Sequence, residues 1–467
     1  MEEELKGYFW IPNKPQLKHF GEVILSTSQK KNEVVIYGSF PEFDKLHYNI
    51  NFHDDIPYLY GYTNDKKFIT LLGLRITGAN LSPAPPETSA FKSEHKLSFS
   101  QFICGPIQFP FNFSINRISV TAQFMEAWGI PNPIEMEVKT SDDTDESPSK
   151  SYNFKPGKPI SIPFEPDTCT FYDYLSHNHK FQINYLEIKQ RNCLSFTFNR
   201  NLEISELYIF LEKLREFYTL ITGVNLGLDL IVIYNQEVNG VEYQYEFDRN
   251  VSNSSYSFIA ADSRILGLKE LSSSSYLKYF FKEYNTFSLP LAHYMGYLNG
   301  DRSNYATFIQ PFISALEIIY NKYYREQEKN AKNINPTLDE ILKTYRLSPK
   351  HKQFLLDSKL AKSYRDLHLK DKVVALIRVS DKLTELVDDP IAFTKRVLDL
   401  RHYLVHQVEK DASDLTLLNN RLLLGKHVVK LKVILEYHLL LMMRLDKETV
   451  EKRIDRTLPN FVHFDRY

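Results

Sequence analysis

One late stretch of the chain decides how the C-terminal half should fold: Leu398-Asp399-Leu400-Arg401-His402-Tyr403-Leu404-Val405-His406-Gln407. The sequence from 391 to 407 holds no glycine or proline, and Pro390 stands just ahead, where a helix tolerates it. At about 100° per residue, one broad face collects the apolar side chains Phe393, Val397, Leu398, Leu400, Leu404, Val405 and Val408. The pattern predicts an amphipathic helix over residues 391–408.

Arg401 falls in the middle of this apolar face, and His402 and His406 lie together on its flank. A guanidinium directed at a core or an interface is costly unless it is paired or needed there. The spacing R-x4-H also occurs from Arg346 to His351, but Pro349 interrupts a common helix there. The alternative interpretation is an arginine that extends from the helix edge to solvent beside two solvated histidines.

The charge of the chain is divided unevenly along its 467 residues, a length that suits two or three domains. Residues 302–467 hold 30 Lys and Arg against 22 Asp and Glu, a net charge of +8. Residues 1–301 hold 27 against 36, a net charge of −9. The basic half contains the arginine helix, which is compatible with a polyanionic partner such as RNA, although lysines on ordinary soluble helices look similar.

The three cysteines form no CxxC pair and no disulfide framework. Cys169, His177, His179 and Cys193 could gather a metal ion, but their spacing matches no familiar zinc pattern, so we predict neither a metal site nor a cofactor. The acidic N-terminus does not resemble a signal peptide, and no apolar run approaches 18 residues. We therefore expect a cytoplasmic protein with no membrane association.

The first half of the sequence predicts β-structure. Short β-branched or aromatic runs are separated by clusters of Gly, Pro and Asn, and they occur at 22–25, 33–37, 68–74, 97–104, 115–124, 151–164, 181–191 and 193–198. A helix is predicted over 205–222 with Gly223 as its stop, followed by a hairpin of strands 228–234 and 241–247. This half holds no Gly-rich phosphate loop, G-x-S-x-G elbow or paired-carboxylate motif.

Helices dominate from residue 276 onward. We predict them over 305–326, 338–345, 351–359, 371–386, 391–408, 415–445 and 446–454. The fold class is therefore α+β, with a β-rich N-terminal domain followed by an all-α C-terminal bundle. The expected boundaries are 1–250 for the β-rich domain, 251–285 for a linker and connecting helix, and 286–467 for the helical domain.

An all-helical C-terminal domain with R-x4-H on its penultimate long helix resembles the HEPN ribonucleases. Three features carry the resemblance: the motif Arg401-His402-x-x-x-His406, the upstream helix Phe312–Tyr320, and the long Leu-rich helix after the motif. The N-terminal half resembles the corresponding domain of ApeA-type anti-phage proteins through the segments Gly7–Pro12, Gly21–Leu25, Ile69–Gly73 and Ala127–Trp128.

The resemblance implies a metal-independent endoribonuclease of abortive infection that cleaves transfer RNA or another structured RNA. The N-terminal domain would sense a phage-derived trigger or restrain the nuclease. His406 would be the acid/base and Arg401 the phosphate clamp. His402 would orient the scissile group, or is simply a histidine at the solvent edge.

The spacing itself argues for two copies of the chain. Residues five apart on a helix are about 140° apart, so one helix cannot easily aim Arg401 and His406 at one point. A two-fold axis can bring both groups to one cleft, which predicts a homodimer through the helical domain. Glu317 is a candidate to hold the guanidinium, or it is a surface glutamate.

Two other functions remain open on the sequence. The main alternative is a non-catalytic HEPN-type module that binds RNA or protein, with a β-rich ligand-sensing domain. Primary recognition of a ligand or glycan by the β-rich region has no residue constellation behind it.

Overall fold

The structure is a computed structural model. It describes residues 3–12, 14–25, 32–38, 40, 56–82, 92–109, 115–122, 134–139, 149–154, 158–177, 188–223, 227–234, 241–247, 266–300, 304–324, 368–406 and 420–464. The predicted helices 338–345 and 351–359 lie outside these residues. The α+β class is confirmed, because strands make up the N-terminal part and helices the C-terminal part.

The described strands pair antiparallel throughout. They are β1 (Glu3–Trp10), β2 (His19–Leu25), β3 (Asn32–Tyr37), β4 (Ile56–Thr63), β5 (Phe68–Ser82), β6 (Lys92–Phe99), β7 (Gln101–Gly105), β8 (Ile115–Ala122), β9 (Ile134–Lys139), β10 (Ser149–Phe154), β11 (Ile160–Ile162), β12 (Thr168–His177), β13 (Ile188–Leu202), β14 (Leu228–Tyr234) and β15 (Glu242–Phe247). The predicted run 97–104 is two strands, since a bend at Ser100 separates β6 from β7.

Thirteen of these strands form one sheet in the order β11-β12-β13-β8-β14-β15-β7-β5-β4-β1-β2-β3-β6. Strand β5 pairs with β4 and also with β6, so the strands from β5 to β6 close into a ring of six. Alternate side chains point inward and form the core of the ring: Phe9, Val23, Leu25, Val34, Ile36, Leu59, Ile69, Leu71, Leu74, Leu97 and Phe99. Closure leaves these strands without an open edge.

The other part of the sheet packs on the first long helix, α1 (Ile204–Thr222). Phe210 of α1 contacts Phe196 and Phe198 of β13, with ring centroids 5.0 and 5.1 Å apart.

The strand register shows whether the two cysteines of the candidate metal site lie on the same face of the sheet. Cys169 lies opposite Phe196, and Cys193 lies opposite Tyr172, so the two buried thiols occupy opposite faces of the sheet and cannot share a metal ion.

The helices after α1 are α2 (Leu268–Ser273), α3 (Tyr276–Asn299), α4 (Ala306–Ile319), α5 (Leu369–Arg378), α6 (Asp381–Val387), α7 (Pro390–His406), α8 (Arg421–Met442) and α9 (Lys447–Phe464). A π-helical segment, Tyr320–Tyr324, continues α4. Helix α4 packs against α3, α5, α7 and α8 and is buried along Ile309, Phe312, Ile313, Leu316 and Ile319, so it is the central helix of the bundle.

The predicted helix 371–386 is two helices, α5 and α6. Ser380 stands between them with extended backbone, and its hydroxyl accepts a hydrogen bond from the amide of Lys382 at 3.2 Å. The same hydroxyl donates to Glu451 of α9 at 2.6 Å. An N-cap serine competes with helix continuation, and here the bond from Ser380 to α9 favours the break.

The chain divides into two compact units. The first comprises Met1–Arg215, Leu226–Ala261 and Gly267–Ser275, and the second comprises Glu216–Asn225, Asp262–Leu266 and Tyr276–Tyr467. The division does not fall at one point in the sequence, because the last turns of α1 belong to the second unit. None of the described helices combines the length and hydrophobicity that a membrane crossing requires.

Candidate functional site

Helix α7 carries the R-x4-H motif and begins at Pro390, one residue before the predicted start. Asp389 caps it by accepting hydrogen bonds from the amides of Ile391 and Ala392, at 2.9 and 3.1 Å. Pro390 occupies the first helical position, where its missing N–H costs nothing. Phe393, Val397 and Leu400 are buried, which confirms the first part of the predicted apolar face.

The end of α7 that holds the motif is more open than the pattern predicts. Leu404 is only half-buried and Val405 is 49% exposed, while Val408 lies outside the described residues. Within this region Arg401 is half-buried. The apolar stripe of α7 therefore extends from the core of the bundle onto its surface, and Arg401 lies at the transition.

Arg401 is held by a residue that the sequence analysis did not identify. Its Nε–H donates to Oε1 of Gln310 on α4, and Nε2 of Gln310 donates to the hydroxyl of Ser314 at 3.4 Å. A signal was available, since Gln310 is a polar residue inside the otherwise apolar run from Phe308 to Phe312. Nothing in the sequence, however, relates Gln310 to a residue 91 positions away.

Glu317, the candidate for holding the guanidinium, lies on the same helix as Gln310 but has another partner. Its Oε1 accepts from Nζ of Lys372 on α5 at 3.0 Å. In the described part of this chain Glu317 therefore pairs with a lysine, and Gln310 takes the place that the sequence suggested for Glu317.

The two histidines of the motif are placed differently. His402 is exposed on α7 directly after Arg401. His406 is the last residue of α7, and its side chain lies outside the described part of the chain. The structure brings Arg401 together with Gln310, and it leaves the relation between Arg401 and the imidazole of His406 undescribed.

A third histidine, His438 of α8, is fully buried and not suited to proton transfer. Its Nε2–H donates to the carbonyl of Leu376 at 3.1 Å, because a carbonyl only accepts. Its Nδ1 therefore accepts from the hydroxyl of Tyr324 at 2.7 Å. Burial lowers the pKa of His438 to about 3, so it stays neutral and structural near pH 7.

Among the residues of the second unit that the structure describes, Glu436 on α8 is a buried carboxylate. Burial alone would raise the pKa of its carboxyl, but Arg453 and Lys432 hold that pKa below its usual range. Nη2 of Arg453 lies 2.6 Å from Oε1 of Glu436. Nη1 of Arg453 donates to the carbonyl of Ile221 at the end of α1, at 3.4 Å. The cluster has a structural role, tying α9 and the last turn of α1 to α8.

The described residues contain no group of three or more His, Cys, Asp or Glu side chains that could hold a metal ion. Within the R-x4-H motif, helix α7 carries one guanidinium, Arg401, and two imidazoles, His402 and His406. A guanidinium binds oxyanions through paired N–H groups, and an imidazole transfers protons near neutral pH. This combination suits a phosphodiester.

Two family models match the chain and define its class. Residues 311–449 match the ApeA-like HEPN domain, which includes Arg401, His402 and His406. Residues 4–265 match ApeA N-terminal domain 1, and this match covers more than half of the chain. The protein thus belongs to the ApeA family, in which this N-terminal domain precedes a C-terminal HEPN domain. Searches of curated proteins and of solved structures found no match.

Proposed function

We propose that this protein is a metal-independent endoribonuclease of anti-phage abortive infection, with transfer RNA as the expected substrate. The observation that carries the proposal is Arg401, which stands half-buried near the end of α7 in the HEPN domain, five residues before His406. An arginine placed this way is suited to binding a phosphate, and a histidine near it to proton transfer.

The proposed reaction uses the ribose 2′-hydroxyl as nucleophile. Neutral His406 takes the 2′-hydroxyl proton while the 2′-oxygen attacks the adjacent phosphorus. Arg401 stabilises the negative charge that builds on the phosphate oxygens. The bond from phosphorus to the 5′-oxygen breaks, and that oxygen takes a proton from His406, which acts as the acid in this step. The products are a 2′,3′-cyclic phosphate and a 5′-hydroxyl. His402, exposed beside Arg401, orients the scissile group.

The active form in this proposal is a homodimer through the helical domain. Arg401 and His406 lie about 140° apart around the axis of α7, so one helix cannot easily aim both at one phosphate, whereas a two-fold axis brings both kinds of group to one cleft. The exposure of Val405 and the half-burial of Leu404 support an interface at this end of α7. Isolated apolar side chains are common at surfaces, but here they continue a buried stripe.

The N-terminal domain is proposed to sense a phage protein, and a row of exposed aromatic residues supports this. Tyr62, Tyr8, Phe20 and Tyr37 lie directly opposite one another on β4, β1, β2 and β3, and Tyr8 is 54% exposed. Lys6 beside the row is already paired with Glu4 and Glu22, at 3.4 and 3.2 Å. The row therefore carries little free positive charge for binding a polyanion, while aromatic residues are enriched at protein–protein interfaces.

The catalytic assignment predicts that Arg401→Ala and His406→Ala each abolish RNA cleavage and cellular toxicity without unfolding the protein. The measurement is sequencing of RNA ends after induced expression, together with cleavage by purified protein in EDTA. Arg396→Ala, an exposed arginine on the same helix, is the matched control and should cleave normally. Full activity of His406→Ala, or activity that EDTA removes and Mg²⁺ restores, would contradict the assignment.

The sensing role predicts that the double variant Tyr8→Ser/Phe20→Ser loses protection against phage but stays as toxic as the wild type when overexpressed. Ile107→Ser, which also removes an exposed apolar side chain, should retain protection. Thermal unfolding checks that the variants fold. Undiminished protection by the double variant would show that this aromatic row is not part of the sensing surface.

The same cleavage assay distinguishes the proposed ribonuclease from the alternative function, a non-catalytic HEPN-type module that binds RNA or protein. A binding module needs no intact Arg401 and His406 pair, so the wild type would bind RNA without producing new ends.

A further inference from the structure

The hydrogen bond from Arg401 to Gln310 decides which edge of the guanidinium is available to a ligand. A guanidinium is planar and offers five N–H donors in a fixed fork. Because Nε–H is engaged by Oε1 of Gln310, the edge formed by the two Nη groups is turned away from that contact. Among the described residues, Arg401 has no other hydrogen bond and no ion pair. The Nη edge offers two N–H groups side by side, which can bind two phosphate oxygens in a bidentate manner.

Gln310 is itself held in a defined orientation. Its Nε2 donates to Ser314 one turn later on α4, which leaves Oε1 as the atom that faces Arg401. Helix α4 is the central helix of the bundle, and its neighbouring residues Ile309 and Phe312 are fully buried. A rigid support of this kind fixes a guanidinium without the entropy loss that a free arginine side chain would suffer on binding.

The neutral charge of Gln310 matters as much as its position. A carboxylate at this position would orient Arg401 equally well, but it would form an ion pair and repel a phosphate. On the same helix, Glu317 forms such an ion pair with Lys372. A glutamine provides the acceptor oxygen and leaves the full positive charge of Arg401 available to the substrate.

We propose that Gln310 is a positioning residue for the reaction: it orients Arg401 so that the Nη edge meets the scissile phosphate. The inference rests on the proposed function, since it assumes that Arg401 contacts the phosphate. Gln310 touches no reacting atom and acts only through Arg401.

The test compares Gln310→Leu, which keeps the approximate size but removes the acceptor, with Gln310→Glu, which keeps an acceptor and adds a charge. Single-turnover cleavage gives the rate of the chemical step, and binding of a 2′-O-methyl RNA of the same sequence gives affinity without cleavage. For Gln310→Leu we expect a rate about 10- to 100-fold lower, with affinity changed by less than about threefold. For Gln310→Glu we expect weaker RNA binding than for Gln310→Leu.

Thermal unfolding distinguishes positioning from a purely structural role. A structural role would lower the unfolding temperature and reduce affinity and rate together. A wild-type rate in Gln310→Leu, while Arg401→Ala is inactive, would overturn the inference and leave the proposed function standing. Normal cleavage by Arg401→Ala would instead disprove the proposed catalytic role of Arg401, and the inference about Gln310 would fail with it. Arg396→Ala again serves as the control for substitution on α7.

Discussion

At the scale of single residues, burial keeps the imidazole of His438 in the second unit neutral near pH 7. His402 is exposed on α7, whereas His438 is enclosed in the bundle with both ring nitrogens bonded. The two residue types are identical, and only their surroundings differ. A histidine count in the sequence therefore says little about acid/base capacity.

The buried histidine predicts an acid-sensitive stability. The pKa of His438 is about 3 in the folded chain, against 6.5 for the unperturbed side chain, so the unfolded state binds an additional proton between these values. The stabilisation is complete above pH 6.5 and decreases as the pH falls towards 3. We expect His438→Phe to lower the free energy of unfolding at pH 7 by about 2–4 kcal/mol, because Tyr324 and the carbonyl of Leu376 lose their partner.

Urea unfolding at several pH values measures this effect. His438→Phe should also show a weaker decrease in stability between pH 6.5 and 4 than the wild type. His368→Gln changes an exposed histidine just before α5 and should leave the free energy of unfolding at pH 7 unchanged. Equal pH dependence in His438→Phe and the wild type would show that His438 is not held neutral.

At the scale of the element, helix α1 ends at a residue whose conformation and space both require glycine. Gly223 has φ of +70°, and a Cβ there would lie 1.6 Å from Nη2 of Arg453. The same arginine donates to the carbonyl of Ile221, one of the last carbonyls of α1, which an α-helix leaves without a partner inside the helix. The sequence predicts the stop at Gly223, and packing against Arg453 gives the stop a second physical reason.

Gly223→Ala should therefore destabilise the protein by about 1–3 kcal/mol, through backbone strain and displacement of Arg453. Gly296→Ala is the matched comparison, because Gly296 is exposed within α3 and has open space around its Cβ position. That substitution should stabilise the protein by about 0.5–1 kcal/mol. Chemical denaturation measures the change in the free energy of unfolding for each variant. Changes of the same sign would contradict the argument.

At the scale of the whole molecule, the proposed composite site predicts complementation between inactive chains. Purified Arg401→Ala and His406→Ala proteins are mixed under conditions that allow subunit exchange, and RNA cleavage is measured. If Arg401 of one subunit serves the same phosphate as His406 of the other, mixed dimers retain one intact pairing and recover part of the activity. No recovery despite proven exchange, or full activity of a monomer in sedimentation, would exclude the composite site.

The sequence by itself determined the kinds of element and their order. Alternation with period two predicts strands such as β2 and β3, and the period of 3.6 predicts α1, α4, α7 and α8. These periods are local properties of the sequence, because each one shows only which face of a single helix or strand is buried. The α+β class followed from them, as did the position of Arg401 within an apolar stripe. The sequence predicts the start of α7 at residue 391, just after Pro390, and the observed helix begins one residue earlier, at Pro390.

Only the tertiary structure decided which elements and side chains meet. The closure of six strands through β5, the opposite faces of Cys169 and Cys193, and the partners of Glu317 and Arg401 all depend on contacts between distant parts of the chain. Ser380 divides one predicted helix into two because α9 supplies Glu451. Local periodicity cannot encode such contacts, since a hydrogen bond between Arg401 and Gln310 requires α4 and α7 to pack first.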